Sequence, residues 1–124
     1  MLDLWHQGRG ARGATDDVAG LTRLLQRDPD SLLVAELEGR VVASLIAAWD
    51  GWRGNMYRLT VDPAYRRRGI ASRLVAAGER RFRELGARRI SALVWREDGR
   101  ATSTWLSAGY EDDEGTGRFV KTVG

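Results

Sequence analysis

Leu59-Thr60-Val61-Asp62-Pro63-Ala64-Tyr65-Arg66-Arg67-Arg68-Gly69-Ile70-Ala71-Ser72-Arg73-Leu74 decides how the rest of the chain is read. The run Met56 to Val61 has strand character and is stopped by Pro63. From Ile70 the apolar set Ile70, Leu74, Gly78, Phe82 and Leu85 recurs at steps of four and three, with Arg73, Glu79, Arg80, Arg83 and Glu84 off the stripe. The stretch therefore predicts a strand, a short connection and a helix over 70–85, closed by Gly86 just past its last turn. Arg66-Arg67-Arg68-Gly69-Ile70-Ala71 falls where that helix starts. There the first N–H groups have no intrahelical partner and the macrodipole is positive, so an anion is attracted; Gly69 lets a phosphate reach the main chain with no Cβ in the way. Three arginines alone read better as a solvated helix start, but the placement after strand and proline, with glycine and a small residue following, favours a pyrophosphate seat.

Working outward, Arg88-Arg89 lead into a fourth strand, Ile90 to Trp95, and the long helical crossover makes it parallel to Met56–Val61. Asp98 or Thr102 can cap a short helix carrying Ala101, Trp105 and Ala108 and closing at Gly109, after which Tyr110-Glu111 and Gly117 to Val123 read as a hairpin around Asp112 to Gly115. Upstream, Leu32 to Glu38 and the nearly all-apolar Arg40 to Trp49 form a hairpin across Glu38-Gly39, the second run being central. Thr15 or Asp16 caps an amphipathic helix over 16–27, carrying Val18, Leu21, Leu24 and Leu25 and ended by Asp28-Pro29. Leu2, Leu4 and Trp5 predict a short helix before a loop at Gly8–Gly13. Gly8-x-Gly10-x-x-Gly13 spells the dinucleotide fingerprint, but that mechanism needs a preceding strand, and seven residues leave no room for one.

The 124 residues form one domain, 1–124, with a single core. No apolar stretch approaches the roughly 20 residues of a membrane span. Met1 to Gly10 carries Asp3, His6 and Arg9 in place of the apolar core of an export signal, which predicts a cytoplasmic protein. With no cysteine and one histidine, His6, read as a surface residue, thiol chemistry, thiolate zinc and a histidine-rich metal site are excluded; no metal is expected. Nineteen of the 20 basic residues are arginine, Lys121 being the exception. Arginine suits phosphates and carboxylates, so an anionic small molecule or a nucleic acid is compatible with the charge.

The central stretch resembles the acetyl-CoA-binding motif of the GNAT superfamily of N-acetyltransferases, Gln/Arg-x-x-Gly-x-Gly/Ala after a strand ending in Val-x-Pro. Ala101, Gly109 and Tyr110 resemble the family's Ala-x-x-Phe-Tyr-x-x-x-Gly-Tyr segment, and Glu38 to Ser44 its second-to-third-strand hairpin. The resemblance spans residues 16 to 123. It implies an α/β chain with a mixed sheet, in which the strand ending at Val61 and the strand starting at Ile90 form a splayed parallel pair. It further implies that main chain at Leu59, Thr60 and Val61 holds the acyl arm of acetyl-CoA and that N–H groups of about Arg67 to Ser72 hold its pyrophosphate. An amine would attack the thioester directly, without a covalent enzyme intermediate, while a main-chain N–H polarises the carbonyl and an acid protonates the thiolate.

Three family positions differ here. Trp105 stands where many members have the presumed acid, a tyrosine; an indole N–H donates but does not ionise at neutral pH. Asp98 replaces a cofactor-contacting asparagine, and Leu93 the glutamate base of members that acetylate protein N-termini. Asp50, Tyr57 and Glu36, near strand ends, are the remaining acid–base candidates, acting through water. Family members also open with a strand ahead of the first helix. Here Met1–Trp5 already reads as that helix, so the first strand is missing or the gene start is shortened, and the bare edge of Leu32–Glu38 predicts pairing with a second copy. Trp49, Trp52 and Tyr57 can wall an acceptor pocket or cap the sheet end, and Glu111–Glu114 reads as a solvated turn before it reads as a cation lure.

The expected activity is acetyl-CoA-dependent N-acetylation of a primary amine on a small molecule, peptide or protein. A non-catalytic acyl-CoA-binding module on the same fold is the alternative. A nucleic-acid binder using Arg80, Arg81, Arg83, Arg88 and Arg89 ranks third, because those arginines alternate with Glu79 and Glu84 as on a solvated helix face.

Overall fold

A computed structural model of the chain describes residues 17–95 and 97–123. The expected N-terminal helix, the Gly8–Gly13 loop, His6 and the caps Thr15 and Asp16 lie outside them. Helix α1 (Val18–Arg27) is instead capped by Asp17, whose carboxylate accepts from the Gly20 N–H at 2.7 Å. It is followed by β1 (Leu32–Leu37), β2 (Arg40–Trp49) and β3 (Gly54–Val61). A single-turn 3-10 segment (Pro63–Tyr65) leads into α2 (Ile70–Leu85), then β4 (Ile90–Ala92) and α3 (Gly99–Ser107). The sheet has the order β1-β2-β3-β4; β1, β2 and β3 are antiparallel neighbours and β4 runs parallel to β3. Glu38 and Gly39 turn the first hairpin with φ of 53° and 79°, the left-handed pair that matches the twist of its strands.

Helix α2 makes the core. Its buried residues are Ile70, Leu74, Val75, Gly78 and Phe82, while Leu85, counted in the apolar stripe, is left half exposed at the helix end. Gly78 brings the helix down onto the sheet: a Cβ there would stand 2.7 Å from Met56 Cε. Ala43, Leu45 and Ala47 of β2, all with no exposed surface, lie under it with Met56. A second anchor ties the layers together. Arg81, beside the buried stripe of α2, donates from Nη2 to both oxygens of Asp28 at 2.6 and 2.7 Å, and donates from Nε to the Ala47 carbonyl at 3.1 Å. Asp28 also accepts from the Trp49 N–H, so one carboxylate joins the end of α1, the end of β2 and α2.

Three expectations are corrected. Strand β3 starts at Gly54, two residues before Met56, because Gly54 donates to the Arg89 carbonyl and joins both ladders. Strand β4 stops at Ala92 rather than Trp95, because its ladder with β3 ends at Met56. The hairpin expected over 110–123 does not form among the described residues: Glu111 to Gly117 offers acids and glycines but no apolar face, and Phe119, Val120 and Val123 stay almost fully exposed, with no core to enter.

Candidate active site

The site begins with a fault in β3. Ser44 pairs with Thr60, but Ile46 pairs with Tyr57, so Arg58 and Leu59 together face Leu45: a β-bulge, with Arg58 in the left-handed region at φ 56°. Its effect follows from counting. Before the bulge, Gly54 donates to Arg89 and Met56 accepts from the Leu93 N–H at 3.1 Å, so their polar main-chain groups face β4. After it, Asp62 donates to Val42 at 2.8 Å and Thr60 sits in the same phase, so both are turned toward β2. That leaves the N–H and C=O groups of Leu59 and Val61 pointing to the β4 side. They find no strand there. The ladder with β4 has three rungs, Gly54 with Ile90, Asn55 with Ser91 and Met56 with Ala92, and the extra residue throws β3 out of register beyond them. This is why β4 is short, and it opens a cleft bordered on one side by unpaired main chain.

The second part of the site lies where the chain leaves β3. Asp62 accepts from the Ala64 N–H at 3.0 Å and starts the 3-10 turn, while its other oxygen meets Arg40 at 3.4 Å. Arg67 and Gly69 are both left-handed, at φ 65° and 76°, and the curl turns successive N–H groups into one concavity before α2 begins. Gly69 is the helix cap but has no side chain to cap with, and no acid occupies the first turn. Among the described residues no carbonyl or carboxylate accepts from the N–H groups of Arg67 to Ser72; the first helical bond of this end is Arg73 to Gly69 at 3.1 Å. A Cβ on Gly69 would meet nothing within 4 Å. Arg66, Arg67 and Arg68 are exposed around this mouth, and Arg68 is held with its guanidinium 5.1 Å over the Tyr65 ring. Clustered cations oppose the helix dipole. Main-chain donors left unused beside clustered cations are the groups an anion can accept from.

Other predicted site residues are placed elsewhere. Thr60 keeps its main chain on β2, so of Leu59, Thr60 and Val61 it is the first and third that face the cleft. Asp98 caps α3, accepting from the Ala101 N–H at 3.0 Å. Trp105 is buried in the core and stands edge-on to Tyr110 at 4.9 Å. Tyr110 is also spoken for: its hydroxyl donates to Glu79 at 2.9 Å, and burial followed by that carboxylate pushes its pKa well above the tyrosine range. Asp50 sits at the opposite end of β3 from the bulge. It accepts from the N–H groups of Arg53 at 2.6 Å and Trp52 at 2.8 Å, and these bonds hold its carboxyl below the usual value, which suits a turn clamp and not a base. Glu36 is exposed on β1, two strands from the cleft. Tyr57 alone of the three acid–base candidates lies at the rung where the strands part, on the sheet face away from α2, since it pairs with Ile46 and the α2 face is taken by Ala47 and Met56.

Sequence reasoning missed the bulge at Arg58. A signal exists: Met56 is core, and with strict alternation Arg58 and Thr60 would follow it, whereas the apolar residues are Leu59 and Val61, one step out of phase. It also treated Arg81 as a surface cation. With Arg81 paired inward and Arg83 beside Glu79 at 3.9 Å, the basic stripe of α2 required by the nucleic-acid reading is broken up. Among the described residues no cluster of side chains could hold a metal, and no helix is long and apolar enough to cross a membrane.

The model of the acetyltransferase (GNAT) family matches residues 3–110. An acetyltransferase of Sodalis glossinidius is 35% identical over 111 residues, covering 90% of this chain and 78% of its own. One of Pectobacterium atrosepticum is 38% identical over 101 residues, 82% of this chain and 71% of its own. Among solved structures, an aminoglycoside acetyltransferase from a soil metagenome superposes with a TM-score of 0.77 at 21% identity, covering 99% of this chain and 86% of that one. The aminoglycoside N-acetyltransferase AAC(6')-Iy in complex with CoA gives 0.68 at 22%, over 99% and 88%. At these identities the structures speak for the fold.

Proposed function

This chain belongs to the acetyltransferase (GNAT) family, and within that family we propose that it binds acetyl-CoA along β3 and the mouth of α2 and transfers acetyl to a primary amine. The observation that carries the reading is the pairing of two unused donor sets on one continuous stretch, the cleft-facing main chain of Leu59 and Val61 and the amides of Arg67 to Ser72. The cosubstrate would bring a thioester, already activated toward an amine, so the chain need supply only binding, orientation and polarisation. The amides of Arg67 to Ser72, with Arg66 to Arg68 around them, would hold a diphosphate. Hydrogen bonds to a charged acceptor contribute about 1.5–3 kcal/mol each, so three of them supply most of the roughly 8 kcal/mol of a micromolar complex.

Main chain at Leu59 and Val61 would align the extended arm, and an N–H on this edge would donate to the carbonyl oxygen as negative charge grows on it, an effect worth about a hundredfold or more in rate. Tyr57, at the parting of the strands, would act on protons there, directly or through water. The β1 edge, free among the described residues with Val34 and Leu37 half exposed, supports pairing with a second copy of the chain; a monomer at micromolar concentration in size-exclusion chromatography sinks that part of the reading.

The experiment is free-thiol release from acetyl-CoA across a panel of amines, including sisomicin, dipeptides and simple polyamines. Aminoglycosides belong in the panel because the two structural neighbours above are aminoglycoside acetyltransferases. Release that depends on an amine supports the transferase. Acetyl-CoA binding with no amine-dependent release would instead favour the non-catalytic module, which the burial of Trp105 at the presumed acid position makes worth separating. Tyr57→Phe should lower turnover while leaving the acetyl-CoA thermal shift unchanged; an unchanged turnover removes Tyr57 from proton transfer.

A further inference from the structure

At the other end of β3, about 23 Å from Val61 at the rise of a strand, lies a hollow of about 480 Å³ that the transferase reading does not use. Two segments wall it. One is the turn after Trp49, which Asp50 fixes by accepting from Trp52 and Arg53, so that the Arg53 guanidinium lies 3.8 Å over the Trp52 ring. The other is the segment leaving α2, tied to the same strand by the bond from Gly54 to the Arg89 carbonyl at 3.2 Å. Arg53, Arg88 and Arg89 are exposed, and among the described residues none forms a salt bridge within 4.0 Å. Trp52 keeps 69% of its surface in water even with the Arg53 guanidinium over its ring.

The ordinary reading of Arg88 and Arg89 is that they offset the C-terminal dipole of α2. That dipole amounts to about half a charge, and its last carbonyls already accept from Gly86 and Ala87. Even with the Asp50 carboxylate included, three guanidiniums leave the hollow positive by about one to two charges. Its size is within the range of small-ligand sites. A π surface beside paired cations is the donor set for a flat ring carrying phosphate.

We propose that this hollow is a second binding site, for a nucleoside phosphate, with the base against Trp52 and the phosphate on Arg53, Arg88 and Arg89. It is separate from the diphosphate seat at Gly69 and does not depend on it. The test is calorimetric titration of the full chain, saturated with CoA, with guanosine monophosphate, and in separate arms with guanosine, inorganic phosphate and a thymidine oligonucleotide. A guanine base avoids mimicry of the adenine of CoA. Saturable binding of the nucleotide is expected, with guanosine and phosphate each about tenfold weaker or worse, since stacking contributes about 1–3 kcal/mol. Trp52→Ala and the double substitution Arg88→Ala/Arg89→Ala should each weaken it by about tenfold or more, while the thermal shift with acetyl-CoA stays as in the parent and reports an intact fold. No binding under saturating CoA overturns the proposal. So does binding unchanged in both variants, inorganic phosphate matching the nucleotide, or the oligonucleotide binding where the mononucleotide does not.

Discussion

At Gly54, β3 begins inside two ladders at once: its residues pair with β2 on one side and β4 on the other, and a Cβ on Gly54 would stand 2.5 Å from the Phe82 ring. At Val61, seven residues on, the same strand has a partner on one side only, and the chain beyond it presents a run of donors with nothing to donate to. One residue separates the two regimes. Arg58, inserted in the left-handed region, moves the polar main chain of Leu59 and Val61 to the side that β4 has left. The closed end carries the buried contacts, and the open end keeps main-chain groups that no strand satisfies. Substitutions at the closed end should therefore cost folding, and substitutions at the open end should cost binding with little effect on folding.

The largest effect belongs to the closed end. Phe82 is fully buried between Gly54 and Trp49, with its ring centroid 6.4 Å from that of Trp49. Phe82→Ala should lower the unfolding free energy by about 3–5 kcal/mol, read as a drop in the urea midpoint at unchanged slope. A loss under about 1 kcal/mol would mean that this end relaxes easily and is not the sealed half of the strand.

Next in size is Gly69→Glu. A ligand at a hundred times its dissociation constant adds about 2.7 kcal/mol of stability, and this substitution should remove the whole of the acetyl-CoA thermal shift by setting an anion where the diphosphate would lie. The unliganded protein should lose only about 1–2 kcal/mol from a side chain at positive φ, because nothing surrounds the position. A retained shift would take the diphosphate away from this turn.

Gly54→Ala comes third, at about 1–3 kcal/mol, the usual cost of forcing a methyl into a filled core. Coupling sharpens it. In the background of Phe82→Ala the added methyl enters the space the ring has left, so the double variant should be more stable than the two separate losses predict. Strict additivity would show that Gly54 and Phe82 do not share that volume.

How far the sequence reveals this division depends on the range of the forces involved. Helix α2 is legible to the residue because its apolar stripe and its two glycine ends are local features, and the first hairpin is legible from Glu38-Gly39 for the same reason. The unused N–H groups at the start of α2 are legible too, since main-chain donors at a helix start depend on the helix and not on side-chain identity. The length of β4 is not. Ile90 to Trp95 looks like a six-residue strand by composition, yet its pairing ends at Ala92 because of a bulge on a different strand more than thirty residues earlier. Asp50 misled for a similar reason: a carboxylate at a strand end looks available until the turn after it is seen to donate two N–H groups to it. Tyr110 reaches Glu79 across thirty-one residues of chain, a contact that no local pattern encodes.

The smallest effect tests how the closed end is shut. The N–H groups of Arg53 and Trp52, aimed at Asp50, lower its pKa from the ordinary 3.8. The unfolded chain therefore takes up a proton at this carboxyl at higher pH than the folded chain does, so the charge contributes stability that is fully present above about pH 4 and is lost as pH falls through the depressed folded value. Asp50→Asn keeps an acceptor for the turn and removes the charge. The variant should be less stable than the parent at pH 7, and the two urea midpoints should converge as the pH is taken well below 3.8. A gap of the same size at both pH values would mean that the lost charge is not its source and that the amide fails on geometry. The acetyl-CoA shift should be the same in both proteins at pH 7, because the turn that Asp50 clamps lies at the far end of the strand from the donors that would hold the ligand.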